Sequence, residues 1–486
     1  MSTKKKRSLG TFGILLIVLL LVFAISWIFN GKPYIGTDDA GKAAEMTVQH
    51  ATIAQLVTAP INGFFDAKEV IGFVFCLGGF LALVTATGAL ETGIRSLVRK
   101  LHGKENVMIA ILMAVFALGG TTYGMCEETV GFYLLLASTM LAAGMDPMVG
   151  VATVLLGAGV GCLGSTVNPF AVTVAVDAAK AAGAEADMSK IIMIGLILVI
   201  VAYLIATFSV IKYANKVKAD KGKSIFTGEE LAEFEEKYNS GKEISEDERL
   251  TGRQKAVLWI FALTFVVMIF GFIPMGKLNE TIYNAMGWSK YLTGEQLGDW
   301  YFVDAAMWFT LMGFIIGFVG IEDRSKLSTI FVSGVADMIS VNLVIALARA
   351  SSVIMNATGV GPYLVQASVQ AMQAAKVSNG IFGTLDYLLH LGLSFLVPSS
   401  SGIAGISSPI VPPIAKAMGF SVEATIMAEV AANGVINLIT PTSGAIMGGL
   451  ALASVPYSTW VKWSWKTVVT IAVVTGVVIV AAMMLL

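Results

Sequence analysis

Gly164-Ser165-Thr166-Val167-Asn168-Pro169-Phe170 lies in the middle of an otherwise uncharged hydrophobic run from Met148 to Val176. Three small polar side chains and a proline interrupt what composition alone would make one membrane-spanning helix. Unwound backbone at membrane depth is tolerated only where it is buried in protein or lines a cavity. Leu438-Ile439-Thr440-Pro441-Thr442-Ser443-Gly444 repeats the pattern far downstream. Paired broken helices in the two halves of a membrane chain point to a transporter's substrate site.

The rest of the chain fits that setting. It has 486 residues, 56% hydrophobic and 13% charged, with a mean hydropathy of +0.79. Soluble domains carry about 25% charged residues, so the composition predicts an all-α polytopic membrane protein in a lipid bilayer. A net charge of -1 gives no sign of a nucleic-acid partner. Cys76, Cys126 and Cys162 lie in apolar segments without zinc spacing, and only three histidines are present, so neither a metal site nor a cofactor is expected. No Ser or Cys has a His base at useful spacing, which argues against an enzyme. A channel would need a continuous polar pore, whereas the polar residues cluster at one depth.

Basic residues orient the spans. Lys4-Lys5-Lys6-Arg7 places the N-terminus in the cytoplasm, ahead of a retained span from Phe12 to Phe29, and residues 1–66 form this span and an external segment. Repeat one covers 67–211, with a hairpin at 106–145 and a broken helix at 147–182. The hydrophilic stretch 212–255 is a cytoplasmic linker. Repeat two covers 256–486, with a hairpin at 385–418 and a broken helix at 421–460. The stretch from Gly119-Gly120 to Gly124 is expected to end the arm that starts near Asn106, at Gly119 itself, leaving it too short to cross. Basic clusters at Arg95, Arg99, Lys212, Lys216, Arg324, Lys326, Lys462 and Lys466 then put the first hairpin in from the inside and the second from the outside, an inverted repeat with two re-entrant hairpins. One gap-free shift lays Ser165 on Thr440, Leu163 on Leu438, and Gly159 on Gly434.

Candidate substrate-binding residues follow from this plan. Asn168-Pro169 and Thr440-Pro441 read as helix restarts, with Asn or Thr as cap and proline at the first position. Ser165, Thr166, Thr442 and Ser443 surround them, and the hairpin tips add Thr122, Tyr123, Ser399, Ser400 and Ser401. Converging helix ends can hold a carboxylate, and unwound carbonyls a cation. The sharpest feature is Glu127-Glu128 at the first tip. An acid inside a membrane marks a functional site, and here it suits a guanidinium or ammonium group. Adjacent helical residues diverge by about 100°, so one acid is expected to face substrate and the other a structural partner. The second tip has Gly402 and Ile403 at the matching places. Asp337, Arg349 and Glu429 are expected to form buried pairs, and His390 to be a satisfied core histidine rather than a proton relay.

TTYGMCEETVGFY (121–133), LGSTVNPFA (163–171), LVPSSSGIAG (396–405) and ITPTSGAIMGG (439–449) resemble the YfcC family of membrane transporters, within the larger ion-transporter group that includes anaerobic dicarboxylate carriers. The resemblance implies a homodimeric elevator-type transporter of the bacterial cytoplasmic membrane. It also implies a basic amino acid as substrate, exchanged as arginine for ornithine; a sodium- or proton-coupled carrier of dicarboxylates is the other branch. The group's paired Ser-Asn-Thr loops map to 165–168 and 440–443, though neither reads Ser-Asn-Thr here.

Overall fold

With no water in a bilayer core, apolar segments must satisfy their own backbone, and helices do so. In the computed structural model, which describes residues 11–37, 43–90, 92–93, 96, 103–239 and 250–486, eight helices are long and apolar enough to cross a membrane, and the apolar helix Thr11–Ile28 precedes them. The protein is an all-α polytopic membrane protein apart from a short antiparallel pair, Pro33–Thr37 with Ala43–Thr47. Lys4 to Arg7, Arg95, Arg99 and Lys100 lie outside the described residues.

Burial separates two kinds of helix. The window of Pro147–Ala181 is 89% buried, against 28% for Tyr457–Leu485, so the broken segment runs through the middle of the protein and not along lipid. Around it stand the first hairpin (Glu105–Tyr123 and Val130–Ala142), Met188–Ala219, the second broken helix (Val422–Ile436 and Gly444–Leu452), the second hairpin and Tyr457–Leu485. A second group joins Ile53–Asp66, Lys68–Ala86, Gly252–Phe272, Phe302–Gly320, Leu327–Asp337 and Ile339–Thr358. Aromatic rings fasten this group internally: Phe80 sits edge-on to Phe309 at 4.9 Å and stacks on Phe261 at 5.8 Å.

Small residues set the helix spacing, since lipid gives helices little hydrophobic reason to associate and close packing must do so. A Cβ on Gly161 would fall 2.2 Å from the Ala117 carbonyl oxygen, and one on Gly120 the same distance from that of Ala158. The two broken helices cross by the same device, reciprocally. Leu163 fills the space over Gly434, where a Cβ would lie 2.2 Å from the Leu163 Cα. Leu438 fills the space over Gly159, its Cδ2 2.2 Å from the position of a Cβ there.

These contacts correct two local expectations. The first arm does not end at Gly119-Gly120. It runs to Tyr123 and stops at Gly124, whose φ of +78° is the left-handed C-cap; the glycines serve approach to the neighbouring helix. At 19 residues the arm is about 28 Å long and among the helices long enough to cross, so the expectation that it is too short does not hold. The second hairpin's first arm begins at Asn379, earlier than the sequence suggests. Its return arm comes in two pieces, Ser400–Ser407 and Val411–Ala417.

Gly161→Val should lower stability by about 1–3 kcal/mol, the cost of overpacking. The measurement is the melting temperature of the detergent-purified protein; a value equal to the parent's would mean that these helices do not approach so closely.

Candidate functional site

The first break is built locally. Pro147–Gly164 ends at Ser165, a non-glycine residue at φ +37°. The Ser165 hydroxyl donates to the Cys162 carbonyl at 2.5 Å and accepts from Asn168 Nδ2 at 2.9 Å. Asn168 Oδ1 then accepts from the Phe170 amide at 2.9 Å, capping a π-helical turn that Pro169 opens and that passes into Val174–Ala181. A left-handed serine held by its own neighbours is the kind of strain found at ligand sites.

The first hairpin docks on that break. Thr121 Oγ1 accepts from the Thr166 amide at 3.0 Å, and the Thr121 carbonyl accepts from the Val167 amide at 3.3 Å. Thr122 instead donates back to the Leu118 carbonyl at 2.6 Å and caps nothing. Tyr123 is buried and stacks on Phe272 at 5.6 Å, tying the tip to the other helix group. Glu128 is also buried, and its Oε2 accepts from the Cys126 amide at 3.0 Å. This acid holds the turn together. Glu127 points the other way, into a cavity.

The second side repeats the docking with different chemistry. Asn433 and Asn437 donate to the Pro398 carbonyl at 3.2 and 2.7 Å. Thr442 donates to the Phe395 carbonyl at 2.9 Å. Ser399 caps the return arm, accepting from the Gly402 amide at 3.1 Å. The second break does not restart at Thr440-Pro441. Thr440 is buried with its hydroxyl 2.7 Å from that of Thr442, the chain turns once more, and the helix resumes at Gly444 with Ser443 as its cap.

All four pieces enclose a cavity of about 370 Å³. Of the residues singled out from sequence, Glu127, Ser165, Asn168, Ser399, Ser400, Ser401, Thr442 and Ser443 line it. Thr122, Tyr123, Glu128, Thr166 and Thr440 do not; they position the pieces that do. Helix N-termini at Ser400 and Gly444 both border the space, so their free amides offer partial positive charge to an anion there.

Three further charges line the cavity: Asp66, Glu69 and Arg349. Arg349 Nε lies 3.4 Å from Asp66 Oδ2. Arg349 therefore pairs with Asp66 at the cavity and not with Asp337 or Glu429; Asp337 is exposed, and Glu429 bonds Ser408. The charged lining thus counts three carboxylates against one guanidinium already in contact with one of them. Asp66 and Glu69 were hidden in sequence because they flank a helix junction that reads as a surface segment. An intramembrane Arg349 in need of an acid was the available signal.

Comparison with known proteins gives the site a context. The family model for DcuC, the C4-dicarboxylate anaerobic carrier, matches residues 10–484. An uncharacterised Haemophilus influenzae protein is 28% identical over 417 residues, 85% of this chain and 75% of its own. Escherichia coli YfcC, provisionally named a basic amino acid antiporter, is 24% identical over 468 residues, covering 92% and 86%. Two solved structures align at a TM-score of 0.47. One is the YdaH transporter of Alcanivorax borkumensis, at 15% identity over 97% of each chain. The other is the antimetabolite efflux pump MtrF of Neisseria gonorrhoeae, at 14% identity over 99% of this chain and 96% of that one.

The sign of the cavity can be read without knowing the substrate. Cys126 lines it. In a variant keeping only Cys126 (Cys76→Ala, Cys162→Ala), a cationic methanethiosulfonate should react several-fold faster than an anionic one of similar size. Equal rates, or a faster anionic reagent, would contradict a net negative cavity.

Proposed function

Because the chain belongs to the DcuC family of C4-dicarboxylate anaerobic carriers and is therefore a membrane transporter, not an enzyme, we propose that it is a secondary exchanger of cationic amino acids, arginine for ornithine. The observation that carries this is Glu127, which faces a cavity whose other charged groups are Asp66, Glu69 and a single, already paired Arg349. Such a lining attracts a guanidinium or ammonium group and repels a dianion. The substrate's α-carboxylate would sit at the amides of the Ser400 and Gly444 helix ends, and its cationic end at Glu127. The name of the Escherichia coli relative agrees with this branch.

The reading extends to mechanism. The reciprocal Leu163–Gly434 and Leu438–Gly159 contacts are what a pseudo-twofold axis between repeats 67–211 and 256–486 requires, residue i meeting j and j meeting i. They support an inverted repeat in which one hairpin tip is re-entrant from each side. The hairpins and broken helices then form a transport unit that slides as an elevator against the helices around Lys68–Ala86 and Phe302–Gly320. Rings rather than ion pairs bridge part of that contact: Phe170 stacks on Phe302 at 5.0 Å and Tyr123 on Phe272. The proposal includes a homodimer in the bacterial cytoplasmic membrane, with the N-terminus and the 212–255 linker in the cytoplasm.

One observation favours a second reading. Arg349 lines the cavity beside hydroxyls and helix N-termini, and the family description names C4-dicarboxylates. A sodium- or proton-coupled carboxylate carrier would use these groups and tolerate the acids.

Two measurements separate the readings. Glu127→Gln leaves the ligand's charge poorly paired, a loss of about 2–5 kcal/mol, or roughly thirty-fold or more in affinity. Calorimetry with arginine should show that loss, while Glu128→Gln, which loosens the turn, should lower the melting temperature more. If Glu127→Gln binds arginine like the parent, the acid does not select the substrate. In proteoliposomes, arginine–ornithine exchange should proceed in sodium-free buffer; an absolute sodium requirement with succinate as substrate would favour the carboxylate reading.

A further inference from the structure

Away from the cavity, a second set of ionisable groups lies wholly inside the protein. Asp386, His390 and Ser407 are fully buried, and Glu429 is 2% exposed. His390 Nδ1 donates to the Asp386 backbone carbonyl, one turn earlier, at 2.8 Å. Its Nε2 lies 2.6 Å from Ser407 Oγ and 4.0 Å from Glu429 Oε2. Ser408 donates to the same Glu429 oxygen at 2.9 Å. Asp386 Oδ1 is 3.1 Å from Nδ1, but that N–H is directed at the carbonyl, and neither Asp386 carboxylate oxygen accepts a hydrogen bond.

A buried carboxylate that faces one imidazole at 3.1 Å and accepts no hydrogen bond must be explained. Burying an ionised acid without full compensation is far more costly than burying a neutral one. With the imidazole protonated, two carboxylates leave the cluster at a net charge of minus one. One further proton makes it neutral. The neighbouring elements bring little else to balance it. Tyr387, on the same helix, turns to Thr475 and the Ala472 carbonyl; Tyr457–Leu485 presents no charge there, and Val360–Ala374 carries only Tyr363. Of the other elements packed on these helices, Val411–Ala417 brings Lys416, whose ammonium bonds the Gly183 carbonyl, Val174–Ala181 brings Asp177 and Lys180, and Glu423 lies 3.9 Å from Lys190. Three acidic or imidazole groups in metal-holding geometry are absent among the described residues, so the ligand that fits is the proton.

We propose that Asp386, His390 and Glu429 form a proton-binding site that sets how the second hairpin holds the second broken helix, so that a proton gradient adds to the substrate gradient in driving the cycle. The placement supplies the coupling. Glu429, Asn433 and Asn437 are spaced by four on one helix and share a face. The two asparagines hold the Pro398 carbonyl at the tip. One proton, taken by a carboxylate, removes the net charge and weakens the pull of Glu429 on Ser408 and the imidazole. The cluster thus acts one and two turns from the bonds that close the cavity. This rests on the hairpin being a mobile gate, but not on which substrate passes.

The test therefore has a substrate-free arm. Infrared difference spectra of the purified protein in lipid, stepped from about pH 8 to about pH 5, the window histidine spans, should gain a protonated-carboxyl band. That band should be lost in Glu429→Gln or Asp386→Asn and shifted in its midpoint by His390→Gln. In proteoliposomes, a pH gradient should drive accumulation of whichever of arginine or succinate the parent carries. Glu429→Gln should lose that accumulation and keep counterflow exchange. The proposal is overturned if no carboxyl band responds to the pH step, if the substitutions leave it in place, or if Glu429→Gln still accumulates substrate on a pH gradient. A parent that carries neither substrate would overturn the reading of the cavity, and the infrared result would still decide this one.

Discussion

Everything at the centre of this protein depends on how closely two interrupted helices can cross. In lipid, apolar side chains gain little by leaving one hydrocarbon for another, and contact has to come from shape. Gly159 and Gly434 remove the side chains that would keep the helices apart, and Leu438 and Leu163 occupy the space each vacates. The crossing lies within two turns of both breaks. It therefore fixes Ser165 to Asn168 and Thr440 to Ser443 at one depth, and the hairpin tips have only to reach that depth to close a cavity. The same rule spaces Gly120 and Gly161, where a methyl group would collide with backbone that no rotamer change can move.

Much of this was legible because some signals act over a few residues. Asn168-Pro169 caps and starts a helix with its own atoms, and the structure places the restart there. Thr440-Pro441 carries equivalent letters and fails, because Thr440 is taken by Thr442, whose hydroxyl is in turn bound to the distant Phe395 carbonyl. Gly119-Gly120 reads as a terminator, yet the helix passes through it, since the glycines answer to Ala158 and Gly161 on another helix. Arg349 was visible as a charge to be paired, with Asp337 and Glu429 as the expected acids, but its partner, Asp66, is supplied by a segment that looks like surface. What the letters could not carry was the identity of the neighbour in three dimensions.

Two groups of acids stand in separate compartments with different tasks. Asp66, Glu69 and Glu127 border a cavity open enough for a ligand, where water and substrate share in solvating them. Asp386 and Glu429 are sealed among Ser407, Ser408 and His390, where only a proton can reach. Between them runs the face of Val422–Ile436 that carries Asn433 and leads to Asn437 at its C-cap. Events in either compartment act on the same pair of side-chain amides.

The two hairpin tips are unlike in one respect that reaches beyond a single chain. Each is anchored by hydrogen bonds to its broken helix, but Glu127 takes no part in the anchoring: among the described residues no side chain bonds its carboxylate. One of the three acids that give the cavity its sign therefore carries no part of the anchoring. Divergence within such a lineage can thus alter what is carried by editing one position, while the glycine crossing and the tip bonds stay under separate selection. A scaffold of this kind can retune its preference among cargoes without first having to survive a loss of stability.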